Sequence, residues 1–235
     1  MNTNTNAARP LGDLRTRQPG DDAELLKHGY LRRGDGMLIA GPAGGGKSSL
    51  AVQLMICWAL GREVFGIEPT RSLRSLLIQA DNSEGDLAEM RDGALRGMAF
   101  TPEEAATATG AIVVLTEYSR TGPAFFDLLC AALEAHRPDL LWIDPLSAYL
   151  GDVSNEKVCA MFLRNQLNPL LHQFGCAAIV VHHGNKPADS YLDGSQLGCW
   201  LHSVFAIRTI CANDVLELTV RKRGLHKLPQ GRNET

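Results

Sequence analysis

Apolar residues fall along this chain in short continuous runs, separated by stretches in which they recur every three or four positions. The runs are 37–40 (Met-Leu-Ile-Ala), 75–80, 111–115, 140–143, 177–181 and 204–207. Short apolar runs of this kind predict strands buried on both faces. A further segment, 215–220, alternates more and suits the edge of a sheet. Helical spacing fills the gaps. One helix is expected over 49–60, closed by Gly61, and another over 83–95, opened by Ser83 with acids in its first turn. A third follows Gly122-Pro123 and runs to about Ala135. A fourth spans 155–174, with Val158, Met161, Phe162, Leu167 and Leu171 on its apolar spacing, and Pro169 should kink or divide it. Buried strands alternating with helices predict an α/β fold, with a mainly parallel central sheet and helices on both faces.

Composition narrows the picture without changing it. The 235 residues suit one domain with a generous core. Residues 1–22, dominated by Asn, Thr, Arg, Pro and Gly, read as a disordered arm; 23–229 read as the folded domain and 230–235 as a flexible tail. The formal net charge of −3 offers no global basic field, which argues against a protein that coats DNA by bulk charge. A few basic loops remain compatible with it. Six scattered cysteines form no C-x-x-C pair, so they read as buried reduced thiols of a cytoplasmic protein. No run is apolar enough to span a membrane, and the polar N-terminus lacks the core of a secretory signal.

The candidate chemistry begins right after the first apolar run. Gly41-Pro42-Ala43-Gly44-Gly45-Gly46-Lys47-Ser48 fits G-x-x-x-x-G-K-[ST]. Glycines let a backbone curl around an anion with its N–H groups inward, and the following helix adds its positive dipole end. Lys47 supplies a mobile cation for the β- and γ-phosphates, and the Ser48 hydroxyl can ligand Mg²⁺. A chance match in a chain of this composition has a probability of roughly one in a hundred. The strand–loop–helix context lowers it further, so a glycine-rich turn that binds nothing is the weaker reading. Gly41, Ala43, Gly44, Gly45, Gly46, Lys47, Ser48 and Ser49 are the expected nucleotide contacts, with ATP and Mg²⁺ as cofactors. Leu140-Leu141-Trp142-Ile143-Asp144 is an apolar strand ending in an acid, the form of a Walker B element that holds the Mg²⁺ shell with Ser48. The competing reading of Asp144 is a strand-end acid that starts a turn with Pro145.

Pro145 stands where many AAA-type ATPases carry the water-activating Glu. In RecA-type ATPases that carboxylate sits instead at the end of the strand after the loop helix, a place that here reads Asp81-Asn82-Ser83-Glu84. On these motifs the chain resembles the RecA-like P-loop ATPases of helicase type, near the plasmid RepA-type and phage AAA-family proteins related to the DnaB helicases. The likeness runs from about Leu26 to about Pro229. The resemblance implies a RecA-like P-loop NTPase fold. It makes Asp81 the base that orients the attacking water, one methylene shorter than the family's Glu, with Glu84 as fallback. It makes His183, in Val180-Val181-His182-His183, the γ-phosphate sensor, with Lys186 nearby. A metal-chelating histidine pair is the poorer reading, since adjacent strand residues point to opposite faces.

By the same resemblance, loops 147–157 and 184–194 face a central pore and touch single-stranded DNA. Arg221 and Arg223 match a Lys-x-Arg pair that completes the neighbouring subunit's site. The implied assembly is a homo-oligomer, a hexamer, with no membrane partner. The implied activity is Mg²⁺-dependent ATP hydrolysis by a ring-forming DNA helicase or translocase of replication or recombination. The alternative is a nucleotide-dependent assembly or DNA-binding scaffold, KaiC-like, with weak hydrolysis. The Asp at 81 and the lack of an Arg in Trp200-Leu201-His202-Ser203 weigh slightly towards that alternative. A small-molecule kinase would need a basic substrate lid, and none stands out.

Overall fold

The computed structural model describes residues 8–14, 16, 20–150, 156–183, 201–211 and 215–223. Its strands are β1 (Glu24–Leu26), β2 (Leu31–Arg32), β3 (Gly36–Gly41), β4 (Ser75–Gln79), β5 (Ile112–Thr116), β6 (Leu140–Asp144), β7 (Ala177–His183), β8 (Ser203–Cys211) and β9 (Val215–Arg223). Its α-helices are α1 (Lys47–Ala59), α2 (Glu84–Gly97), α3 (Pro102–Gly110), α4 (Gly122–His136), α5 (Glu156–Phe162) and α6 (Asn168–Phe174). Among the described residues β1 and β2 form an antiparallel pair, and the others make one sheet in the order β5-β4-β6-β7-β3-β8-β9. Every neighbouring pair in that sheet is parallel except β8–β9. The expected α/β architecture with a mainly parallel sheet is therefore present. The alternating segment 215–220 lies in β9, at the edge.

The sheet is sandwiched. Side chains alternate along each central strand: Met37, Ile39, Leu77, Trp142, Ile179 and Val181 pack with α1, while Leu38, Ala40, Leu76, Ile78, Leu141 and Ile143 pack with α4 and α6. Helix α1 is buried along most of its length, with Cys57 and Trp58 fully enclosed and Trp58 against Trp142. Such a helix must be apolar nearly all round, as 49–60 is. Cys159 and Cys176 are also buried and reduced, and Cys130 is half-buried.

Helix ends follow local chemistry. Ser83 caps α2 in a capping box with Asp86, and Thr101 caps α3 in the same way with Glu104. The expected helix 155–174 is divided into α5, a π-helical segment Leu163–Leu167, and α6. Pro169 lacks an N–H and its ring crowds the carbonyl four residues earlier, which falls in the widened turn. Neither α3 nor the β1–β2 pair was expected. In the stretch expected to be a disordered arm, Leu11–Asp13 forms an exposed turn of 3₁₀ helix.

At the N-terminal end of the sheet one buried carboxylate gathers two other segments, at Arg33 and at 71–74. Asp139 accepts from Arg71 at 2.6 and 3.1 Å, from Arg33 at 3.1 Å and from the backbone N–H of Arg74 at 3.0 Å. Burial pushes the Asp139 carboxyl up, but the Arg71 and Arg74 hydrogen bonds and the charges of Arg71 and Arg33 outweigh it, leaving it below the usual carboxylate range.

Candidate functional site

The strand order brings the sequence motifs onto one edge. Reading along the C-terminal ends from β5 to β3, the chain presents Glu117, Asp81, Asp144, His183 and the loop that begins at Gly41. Parallel register fixes these neighbours: Gln79 lies opposite both Thr116 and Asp144, and His183 lies opposite Gly41. The Ala80 N–H donates to the Asp144 carbonyl at 3.1 Å, and the Glu117 N–H to the Gln79 carbonyl at 3.0 Å.

The glycine loop is built as its composition demands. Gly44 and Gly46 have φ of +70° and +75°, the left-handed region that side chains disfavour. A Cβ on Gly45 would stand 3.0 Å from the Pro42 carbonyl oxygen, and one on Gly41 would stand 2.8 Å from the Ile207 carbonyl oxygen. Gly46 occupies the N-cap of α1, so Lys47 is the first helical residue and Ser48 the second. Their position at the helix N-terminus gives the loop N–H groups and a positive dipole end.

Lys47 is only 3% exposed, and its Nζ donates to the carbonyls of Gly41 at 3.0 Å and Pro42 at 2.6 Å. Burial lowers the basicity of this ammonium, while the negative charges of Asp144 and, more weakly, Asp81 act the other way. So the lysine, Asp144 and Asp81 share one electrostatic neighbourhood. Asp144 is 2% exposed at the end of β6. Asp81 is exposed, in the turn between β4 and α2. Glu84 is the first residue of α2, as the sequence suggested.

These groups fit a nucleotide with a divalent ion. The cradle is lined by glycines whose Cβ atoms would strain or clash, the hydroxyl of Ser48 begins the helix, and a buried carboxylate ends the strand two places away from β3. Hydroxyl and carboxylate oxygens are the hard ligands Mg²⁺ takes alongside phosphate and water. Among the described residues no three His, Cys, Asp or Glu side chains gather as a metal site.

Two residues here were missed from sequence. Glu117, half-buried beyond β5, accepts the N–H groups of Ser119 and Arg120 at 2.7 and 3.0 Å. Those bonds, weighed against slight burial, hold its carboxyl below the usual range. Its charge, with those of Asp144 and Asp81, adds to burial in pushing the Tyr149 phenol well above an ordinary tyrosine. Gln79, fully buried, was hidden inside an apolar run. A strand ending in an acid, Thr116-Glu117, was the available signal for the first; nothing in the sequence marked the second.

The arginines lie elsewhere. Ser203 pairs with Arg223 on one side and with Met37, near the start of β3, on the other. Arg221 and Arg223 therefore sit at the N-terminal end of the sheet, away from their own glycine loop. Val204 pairs with Lys222 and Phe205 with Val220, so the exposed Arg221 is the extra residue of a β-bulge, a device that re-aims a side chain. Loop 184–194 and residues 151–155 of loop 147–157 fall outside the described residues.

A glycine loop between strand and helix, on a mainly parallel sheet with a buried aspartate at a neighbouring strand end, defines a P-loop ATPase of RecA-like fold. The chain belongs to the AAA domain family AAA_25, whose family model matches residues 8–189. It is thus a nucleotide-binding ATPase domain. The match includes the loop, Asp81, Asp144 and His183 and ends before β8 and β9. No curated protein matches the chain significantly. Among the described residues no helix is long and apolar enough to cross a membrane.

Proposed function

We infer that the protein is a Mg²⁺-dependent, ring-forming ATPase that moves along or unwinds DNA. The observation that supports this most is the separation of Arg221 and Arg223 from the glycine loop of their own chain. Met37 and Gly41 are four residues apart on β3, so about 13 Å of strand at ~3.3 Å per residue lies between the two ends. A cation held there on an edge strand reaches a phosphate site most directly on an adjacent subunit.

In this reading the loop amides and Lys47 hold the phosphates, and Ser48 and Asp144 hold Mg²⁺. The ion, when bound, neutralises phosphate charge. Asp81 orients the attacking water and accepts its proton. His183, beside Gly41 in register, senses the γ-phosphate. Arg223, with Arg221, comes from the neighbour to stabilise charge on the transferring group. Loops 147–157 and 184–194 meet single-stranded DNA.

ATP turnover with and without single-stranded DNA, beside the oligomer mass with and without ATP, tests the reading. A ring of defined mass with ATP and DNA-stimulated turnover that Lys47→Ala abolishes are the expected results. A monomer under all conditions would overturn it. Slow turnover indifferent to DNA, from an assembled particle, would identify the nucleotide-dependent scaffold instead.

A further inference from the structure

We propose that Gln79 is a positioning residue that fixes the turn carrying Asp81. The proposal rests on the reading of Asp81 as the base. Gln79 closes a strand with an apolar centre, Ser75-Leu76-Leu77-Ile78-Gln79, and is fully buried. A buried amide is costly unless both of its ends are hydrogen-bonded. Here both ends go to the main chain of one residue. Oε1 accepts the Asn82 N–H at 2.8 Å, and Nε2 donates to the Asn82 carbonyl. The side chain thus closes residues 79–82 into a small ring, with Asp81 inside it.

The ring is anchored from both sides. The Gln79 carbonyl accepts the Glu117 N–H at 3.0 Å, and the Ala80 N–H donates to the carbonyl of Asp144 at 3.1 Å. The Tyr118 hydroxyl adds a longer bond, 3.4 Å, to the Asn82 carbonyl. A glutamate base can correct a misplaced backbone by turning an extra torsion. An aspartate has one torsion fewer, so its carboxylate follows the position of its turn more closely. Misplacement of a reacting group by about 1 Å costs about 10²-fold in rate. A chain with Asp at this place has the greater need of a rigid turn, and Gln79 supplies the rigidity at the level of the backbone.

A double-mutant cycle on the full-length protein tests this, using Gln79→Met, Asp81→Ala and the pair. Gln79→Met keeps the volume and removes both hydrogen bonds. Turnover at saturating ATP should fall about 10- to 10²-fold, with the Kd of a fluorescent ATP analogue unchanged within about 3-fold and unfolding still cooperative. Added to Asp81→Ala, the same substitution should lower turnover no further, because its effect passes through Asp81. Gln79→Glu retains the acceptor for the Asn82 N–H; it should fall between wild type and Gln79→Met, and it carries the cycle should Gln79→Met not fold. Wild-type turnover in both Gln79 variants would overturn the proposal. So would an equal loss in the Asp81→Ala background, or a Kd that weakens in step with turnover. If Asp81→Ala alone turns over normally, the reading of Asp81 fails and takes the proposal with it, an outcome distinct from the others.

Discussion

His183 and Gly41 are register partners across the parallel pairing of β7 with β3. The sensor candidate therefore shares a backbone ladder with the first residue of the phosphate loop, and a shift of one moves the other. Replacing His183 with Ala should lower turnover about 10²- to 10³-fold, in the range of a lost donor to developing charge. Nucleotide affinity should change by less than about 3-fold, since the loop amides remain. Steady-state turnover beside equilibrium binding separates the two. A loss of affinity with turnover intact would remove His183 from the sensing role.

A second expectation concerns the loop's own geometry. Alanine at Gly41 would bring its Cβ to 2.8 Å from a backbone oxygen of β8, which cannot move without disturbing the sheet. Overpacking of this kind costs about 1–3 kcal/mol, or about 2–4 °C in Tm per kcal/mol for a chain of this size. Gly93, inside α2, meets nothing within 4 Å. Alanine there should stabilise by about 0.5–1 kcal/mol through helix propensity. Thermal melts of the two variants should move in opposite directions.

The Asp139 cluster makes stability depend on pH. Its carboxyl lies below the ordinary range in the folded chain, so its contribution is fully present above the unfolded value, about 3.9. It is lost as pH falls through the lower folded value. Asp139→Ala breaks a buried pair, which costs about 3–5 kcal/mol near neutral pH. Here the lower end is expected, because Arg71 and Arg33 are 48% and 31% exposed and water can take them back. Urea unfolding from pH 7 to below pH 4 should show the gap between wild type and variant narrowing as acid is added. A gap independent of pH would mean the loss is packing alone.

Arg223 should be separable from Lys47 by mixing. Lys47→Ala alone and Arg223→Ala alone should each lower turnover by at least about 10²-fold, by loss of charge stabilisation at the transferring group. If Arg223 serves a neighbour, a mixed assembly of the two variants contains some interfaces with an intact lysine on one side and an intact arginine on the other. Those interfaces should restore part of the activity. Mixtures no more active than their parts would place Arg223 in its own subunit's service, or in none.

How much of this was legible beforehand depends on where the information resides. The glycine loop, the strand ending in Asp144 and the edge character of 215–220 are local patterns, and each stands where the pattern put it. Helix α3 was missed although Thr101-Pro102-Glu103-Glu104 carries a cap, a first-turn proline and a capping-box acid, because its alanines and threonines show little apolar period. The β1–β2 pair was too short to show any. Strand order is tertiary, and no local pattern encodes that β6 and β7 insert between β4 and β3. That insertion is what sets Asp144 and His183 between Asp81 and the loop. The arginines could be matched to a motif, yet their distance from the loop needed the register of β8 on β3. Gln79 looked like an interruption in an apolar run; its role became visible only with Asn82 in place.

Burial of the thiols has a practical side. Cys57 lies further along the helix that begins with Lys47, and its Sγ rests 3.3 Å from the sulfur of Met98. Burial, against the opposing charge of Arg62, pushes its thiol up to about 11, and Cys176 is pushed up to about 12, again chiefly by burial. Alkylating reagents need an accessible thiolate, so the folded chain leaves these two almost inert. Modification of Cys57 in native buffer then counts the moments at which the phosphate-loop helix lifts from its neighbours. With the other cysteines replaced, that slow chemistry becomes a clock for the site, and any ligand that grips the loop should be heard as a lengthening of its tick.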